Sequence, residues 1–183
     1  MTKNLIEVAI ELTIGKEGKY SNHPSDSGGE TMWGITKEVA QRNGWNLPMK
    51  DLPREEAVRI YREEYFLGPK IDWLIGVSQS IAKEVFDSGV NCGTGTAIRW
   101  LQASLNRLNQ KGKLYADISV DGKIGPATVS AFKTYLAHRG SQGELVLLRM
   151  LNCEQGAHYN KLADAREKDE DFIFGWYLHR VVI

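Results

Sequence analysis

Apolar residues recur at helical spacing along most of the chain. Over residues 2–15, Leu5, Ile6, Ala9, Ile10, Leu12, Thr13 and Ile14 share one side, with Lys3, Glu7 and Glu11 opposite; Gly15 and Gly18 mark the end of this predicted helix. The run Asp51-Leu52-Pro53-Arg54-Glu55-Glu56 places a proline and acids where a helix begins. That helix reaches about Phe66, carries Tyr61, Tyr65 and Phe66 as core residues, and closes at Gly68-Pro69. Ile81, Val85 and Phe86 predict a helix over 78–90. Ala97, Ile98, Leu101, Leu105 and Leu108 predict another over 96–109, stopped by Gly112. Pro126 opens a further helix through Val129, Phe132, Tyr135 and Leu136, and Gly140 stops it. Residues 142–167 read as one long helix, 164–171 as its solvated end or a loop, and 172–182 as a short apolar closing segment with Trp176.

One stretch departs from this pattern. Residues 15–36 are rich in Gly, Ser, Asn and Asp and contain a proline, so they form turns rather than a regular helix. The expectation is a loop over 19–36, with a short irregular hairpin near 28–36 and a helical turn over 37–43 ended by Gly44. A long polar loop returning to Trp33-Gly34-Ile35 is a usual place for function.

Composition narrows the classes. The 183 residues suit one domain, or one with a small appendage, and 42% hydrophobic content supports a core. Basic and acidic residues balance at 23 each with no basic block, which disfavours nucleic acid as a partner. No apolar run is long enough to span a membrane. Two glutamates interrupt the N-terminal apolar stretch, so no secretory signal is expected. Cys92 and Cys153 are read as two buried thiols. No cofactor, no metal and a monomer are expected.

The loop supplies candidate chemistry. Glu17 falls at a helix C-terminus, where the negative end of the dipole raises a carboxyl pKa, as a general acid requires; the position equally suits a solvated helix-end residue. Asp26, nine residues on among polar donors, would stay ionised. Two carboxyl groups in such different settings are the apparatus of glycoside hydrolysis. Glu17 would protonate the leaving oxygen, Asp26 would steady the transition state or activate water, and Thr31 would orient that water. Tyr20 and Trp33 offer flat faces for sugars. Asp87 and Asn91, four apart near a helix end, either project into a cleft or cap the turn at Gly93 and Gly95.

The segments Glu17-Gly18-x-Tyr20, Asn22, Asp26-x-Gly28-Gly29-x-Thr31 and Gly34-Ile35-Thr36 resemble glycoside hydrolase family 108. Val85-Phe86-Asp87-x-x-Val90-Asn91-x-Gly93 and Ala97-x-x-Trp100-Leu101-Gln102 are similar to it too. These are lysozyme-like N-acetylmuramidases, phage endolysins or secretion-linked muramidases. Lys19 stands where their usual motif has a second glycine, and Thr31 lies five residues past Asp26 where phage-type lysozymes have about six. The resemblance implies a mainly α, lysozyme-like fold with a short hairpin at the active site. It also implies Glu17 as the essential acid. Asp26 and Thr31 are expected to be catalytic as well, and Tyr20, Asn22, His23, Trp33, Asp87 and Asn91 to bind the glycan. From about residue 93 the chain resembles peptidoglycan-binding modules, through Trp100-Leu101-Gln102, Val120-Asp121-Gly122-x-x-Gly125-Pro126-x-Thr128 and Phe132; the Asp-Gly and Gly-Pro steps also have a purely structural explanation. The division expected is 1–92 catalytic and 93–183 peptidoglycan-binding. The implied partner is the glycan strand of the wall, reached after holin- or secretion-assisted release.

Two rivals stand beside this. A metal-dependent wall peptidase would use His23, Asp26 and Glu30, but zinc needs three or four ligands at defined spacing. A wall-binding protein without catalysis would rely on the second half alone. The stereochemical outcome stays open, since carboxyl groups about 5–5.5 Å apart favour retention and about 6.5–9.5 Å inversion.

Overall fold

The computed structural model describes residues 5–17, 20–22 and 29–181. The backbone divides into two compact units, Met1–Gly68 and Pro69–Ile183.

In the first unit α1 spans Leu5–Glu17 and buries Ala9, Ile10, Thr13 and Ile14. The Thr13 hydroxyl donates to the Ala9 carbonyl at 3.0 Å, which satisfies it without leaving the helix. The helix runs two residues past its expected end: Gly15 is exposed and helical, so it costs propensity without breaking the ladder. Three two-residue strands follow, β1 (Tyr20–Ser21), β2 (Thr31–Met32) and β3 (Ile35–Thr36), paired antiparallel in the order β1-β2-β3. Thr36 caps α2 (Lys37–Arg42), its hydroxyl accepting from the Val39 amide at 3.3 Å. A 3₁₀ turn, Met49–Asp51, leads to α3 (Arg54–Ile60).

The chain beyond α3 does not continue as the α-helix expected to Phe66. Tyr61–Leu67 form a π-helix. The wider turn is closed by Gly68, whose amide donates to the Glu63 carbonyl at 2.8 Å. A Cβ at Gly68 would lie 2.8 Å from that same oxygen, so the closure excludes a side chain. Ile10, Ile35, Ala57, Ile60 and Tyr61 are fully buried. Of the three aromatics expected in the core, Tyr61 and Phe66 are buried and Tyr65 is half-buried.

The regular elements of the second unit are helices: α4 (Asp72–Ile75), α5 (Gln79–Cys92), α6 (Thr94–Leu108), then, after a non-helical stretch over 109–125, α7 (Pro126–Ala165) and α8 (Glu170–Arg180). Ser78 caps α5 by accepting from the Ile81 amide at 3.2 Å. Glu144 of α7 accepts from Ser78 at 2.6 Å and from Ser80, which ties α7 to the start of α5. Gly93, at φ 88°, makes the sharp turn between α5 and α6. Gly140 breaks α7 with φ 57° and ψ −148°, a region essentially reserved for glycine. Across the break the buried Tyr135 hydroxyl donates to the Gly143 carbonyl at 2.9 Å. Val85, Phe86, Leu101, Leu105, Phe132, Tyr135 and Leu147 fill the core between α5, α6 and α7.

Residues 164–171 are mostly solvated, as expected of a helix end or loop, with one buried exception. A 3₁₀ turn, Glu167–Asp169, follows α7, and the buried Asp169 pairs with Arg166. The closing segment is α8. Its Trp176 stacks on Tyr159 with ring centroids 4.9 Å apart. The two thiols are not both buried, because Cys153 sits on the outward side of α7 and is exposed. Cys92 is half-buried, and desolvation pushes its thiol up to about 12.

Candidate active site

Of the expected site residues, the described part of the first unit holds Glu17, Tyr20, Asn22, Thr31 and Trp33. Glu17 is the last residue of α1, and β1 begins three residues later at Tyr20. The sheet register aligns Ser21, Thr31 and Thr36 in one row, and Tyr20, Met32 and Ile35 in the other. Directly paired residues share a face and neighbours alternate. Ile35 is fully buried, so its row faces the core and Thr31 lies on the opposite face.

The turn between β2 and β3 is unusual. Trp33 has φ 55° and Gly34 φ 76°, the signs of a type I′ hairpin turn. That turn ordinarily takes Asn-Gly, and a bulky residue there is an outlier. Two contacts hold it. The Trp33 indole N–H donates to the Leu52 carbonyl at 3.0 Å, and the Trp33 carbonyl accepts from the Tyr61 hydroxyl at 3.1 Å. The ring is half-buried, with its polar edge committed to the protein.

Helix α3 and its π extension thus hold the hairpin. They also hold α1, since Arg54 pairs with Glu11 and Arg62 with Glu7 at 3.3 Å. Exposed pairs of this kind contribute about 0.2–1 kcal/mol each, so they align α1 more than they stabilise it. Arg59 is bound more densely, to Glu56 at 2.6 Å, Glu63 at 2.5 Å and the Asn43 carbonyl at 3.0 Å. The Glu56 carboxyl is held below its usual range by the Arg59 hydrogen bond.

Around β1 the Tyr20 hydroxyl donates to Glu30 Oε1 at 3.1 Å, and Lys37 Nζ binds Glu30 Oε2 at 3.2 Å. Lys50 Nζ lies 4.9 Å above the Tyr20 ring centre. Partial desolvation and the Glu30 carboxylate raise the Tyr20 pKa. One face of this ring therefore meets a cation. Asn22 follows β1 and is exposed. His23 and Asp26 lie outside the described residues.

Asp87 and Asn91 belong to the second unit. The Asp87 carboxylate faces Arg180 Nη1 at 3.3 and 3.4 Å, with Arg180 itself buried. The Asn91 amide returns to the Asp87 carbonyl at 3.1 Å. Asp87 thereby links the end of α5 to the end of α8, while this hydrogen bond of Asn91 stays within α5, where the sequence suggests a cleft or a cap.

The downstream motif bonds to itself. Gln102 Nε2 donates to Asp121 Oδ1 at 2.9 Å, the Lys123 carbonyl at 3.0 Å and Thr128 Oγ1 at 3.3 Å, while Gln102 Oε1 accepts from the Gly122 amide at 2.9 Å. Gly122 has φ 76°, and a Cβ there would stand 2.8 Å from the Gly95 carbonyl. In the first unit sequence reasoning misses the role of Tyr61, and it reads Glu30 only as a candidate metal ligand. Tyr61 reads as core and is core, and nothing in its spacing announces the hydroxyl's task.

Residues 10–93 match the family model described as Glycosyl hydrolase 108. Residues 96–181 match one described as Predicted Peptidoglycan domain. No curated protein matches the chain. Among solved structures, Brucella abortus SagA has a similar fold: TM-score 0.69, 23% identity, covering 93% of this chain and 86% of that one. That likeness fits the mainly α, lysozyme-like architecture with a helical C-terminal region. No helix among the described residues is long and apolar enough to cross a membrane. The two family matches, laid end to end over nearly the whole chain, give it a glycosyl hydrolase 108 domain followed by a peptidoglycan domain, and together they support a peptidoglycan hydrolase.

Proposed function

We propose that the protein is an N-acetylmuramidase that cleaves the β-1,4 bond between N-acetylmuramic acid and N-acetylglucosamine, with Glu17 as general acid. The observation that carries this reading is the position of Glu17. It is the last residue of α1, inside the segment matched to the hydrolase family and just before the sheet that bears Thr31. A helix C-terminus disfavours a second negative charge, so the position favours a carboxyl that keeps its proton until the glycosidic oxygen accepts it.

Asp26 acts as the ionised partner and Thr31, on the face away from the core, orients the water. Tyr20, Asn22, His23 and Trp33 contact the sugar from the loop and hairpin, and Asp87 and Asn91 extend the binding role. A functional division at residues 92 and 93 is part of this reading; one family match ending at 93 and the other beginning at 96 support it, and it is distinct from the compact units. The route to the wall, holin- or secretion-assisted release, belongs to the same reading.

The test is mass spectrometry of fragments released from purified peptidoglycan. The expected products carry new reducing N-acetylmuramic acid ends, and Glu17→Gln abolishes them. Release of free amines would instead mark a peptidase. Glu17→Gln working at the parental rate would remove the acid role.

A further inference from the structure

Val146, Arg149, Met150, Cys153, Glu154 and Ala157 line a shallow groove on the outward side of α7. Their spacing, three or four residues at a time, makes one continuous helical stripe. The opposite side of the same helix is core: Leu147, Leu151, Gln155 and Tyr159 are buried. The stripe itself is open, with Val146 at 42% exposure and the neighbouring Leu145 at 47%.

The order of these residues is self-complementary. About a midpoint between Leu151 and Asn152, Val146 is the counterpart of Ala157, Arg149 of Glu154, and Met150 of Cys153. Apolar positions map onto apolar positions, and the cation maps onto the anion. An antiparallel helix pair with its two-fold axis at that midpoint would set Val146 against Ala157 of a second copy and Met150 against Cys153. It would also set Arg149 against Glu154 twice. A two-fold contact uses the same patch on both subunits, which is the property this stripe has. Glu154 is already held by Arg107 of its own chain at 2.5 Å, and a carboxylate has lone pairs for two guanidiniums.

We propose that the outward face of α7 is the contact between two copies of this chain. The expectation from the sequence is a monomer; the arrangement of charge along α7 points to a dimer. One helix stripe is small for an interface, so the association is weak and depends on concentration. The inference does not rest on the enzymatic reading, because it concerns the protein in solution without its substrate.

The test is sedimentation of the full chain from about 1 µM to about 1 mM, the range in which weak contacts show. The parent should pass from monomer to dimer across it. Val146→Glu, and separately Arg149→Glu, should each raise the dissociation constant about tenfold or more, since each is felt twice in a symmetric contact. The double variant Arg149→Glu with Glu154→Arg should recover part of the loss. A short bis-maleimide should join two parent chains through Cys153 and fail to join Val146→Glu chains. Melting temperatures close to the parent's would show that these surface variants fold. A parent that stays monomeric throughout overturns the proposal, as does a dimer indifferent to both single changes. A monomeric parent whose stripe variants lose binding to purified peptidoglycan assigns the face to the wall and overturns it as well.

Discussion

In the first unit the hairpin turn places Trp33 at φ 55°, with its indole bound to the Leu52 carbonyl and its own carbonyl bound by Tyr61. In the second unit the turn at Asp121-Gly122 places a glycine at φ 76°, and the Gln102 amide stitches both sides of it. Both turns need a left-handed residue. One is imposed on a bulky side chain by its surroundings, while the other uses the residue that adopts it freely. The imposed turn lies beside Thr31, in the part matched to a hydrolase family; the relaxed one lies in the part matched to a peptidoglycan domain. Strain is expected where a side chain must be aimed, and ease where a scaffold only has to persist.

The largest effect expected is on chemistry. Glu17→Gln should reduce release of reducing ends by roughly 100- to 10,000-fold, with unfolding by denaturant unchanged. A similar loss of rate in a folded Gln102 variant would break the contrast between the units. Next comes Gln102→Leu, which removes the acceptor of the Gly122 amide and both amide protons, shared among Asp121, Lys123 and Thr128, and should cost about 2–4 kcal/mol, read from urea unfolding. Gly122→Ala should cost about 1–3 kcal/mol, from the left-handed backbone and the clash with the Gly95 carbonyl.

Tyr61→Phe is subtler. It removes only the hydroxyl that holds the Trp33 carbonyl, so about 0.5–1.5 kcal/mol of stability should go. The rate per bound substrate should fall while the binding constant stays put; the reverse split would mean that the hairpin grips substrate instead of aiming groups.

The smallest effect is acid sensitivity. The Glu144 carboxyl is held low by hydrogen bonds from Ser78 and Ser80. A depressed folded pKa gives stability that is present above the unfolded carboxylate pKa and is lost as pH falls through the folded one. Thermal unfolding followed downward from about pH 6 should show that loss, and Glu144→Gln should flatten it.

Much of the helical frame could be read from spacing. Pro126 and Gly140 set the start of α7 and its break, as a rigid φ and a missing side chain dictate. The hairpin near 28–36 is present as β2 and β3, yet its turn type was hidden because Trp-Gly is not a dipeptide that predicts positive φ. Gly15 misled in the other direction: an exposed glycine is tolerated inside a helix, so α1 reaches Glu17. The π-helix at Tyr61–Leu67 leaves no trace in apolar periodicity, and only the fit of Gly68 against Glu63 explains it. Average burial of cysteine says nothing about which side of a helix a given one occupies, which is why Cys153 departs from its expectation. Among the candidate site residues, Glu17, Tyr20 and Thr31 come from the motif alone. The ion pair of Asp87 with Arg180, 93 residues away, is a matter of packing that no local pattern carries.

The break at Gly140 has a further consequence for how much protein is needed to make this half of the molecule. Unbroken, the 40 residues of α7 would form a rod about 60 Å long, whose far arm could not double back to reach the Ser78 hydroxyl. One missing side chain converts that rod into two arms that pack on each other's neighbours, so a single hydrogen atom at position 140 replaces what would otherwise require an extra loop.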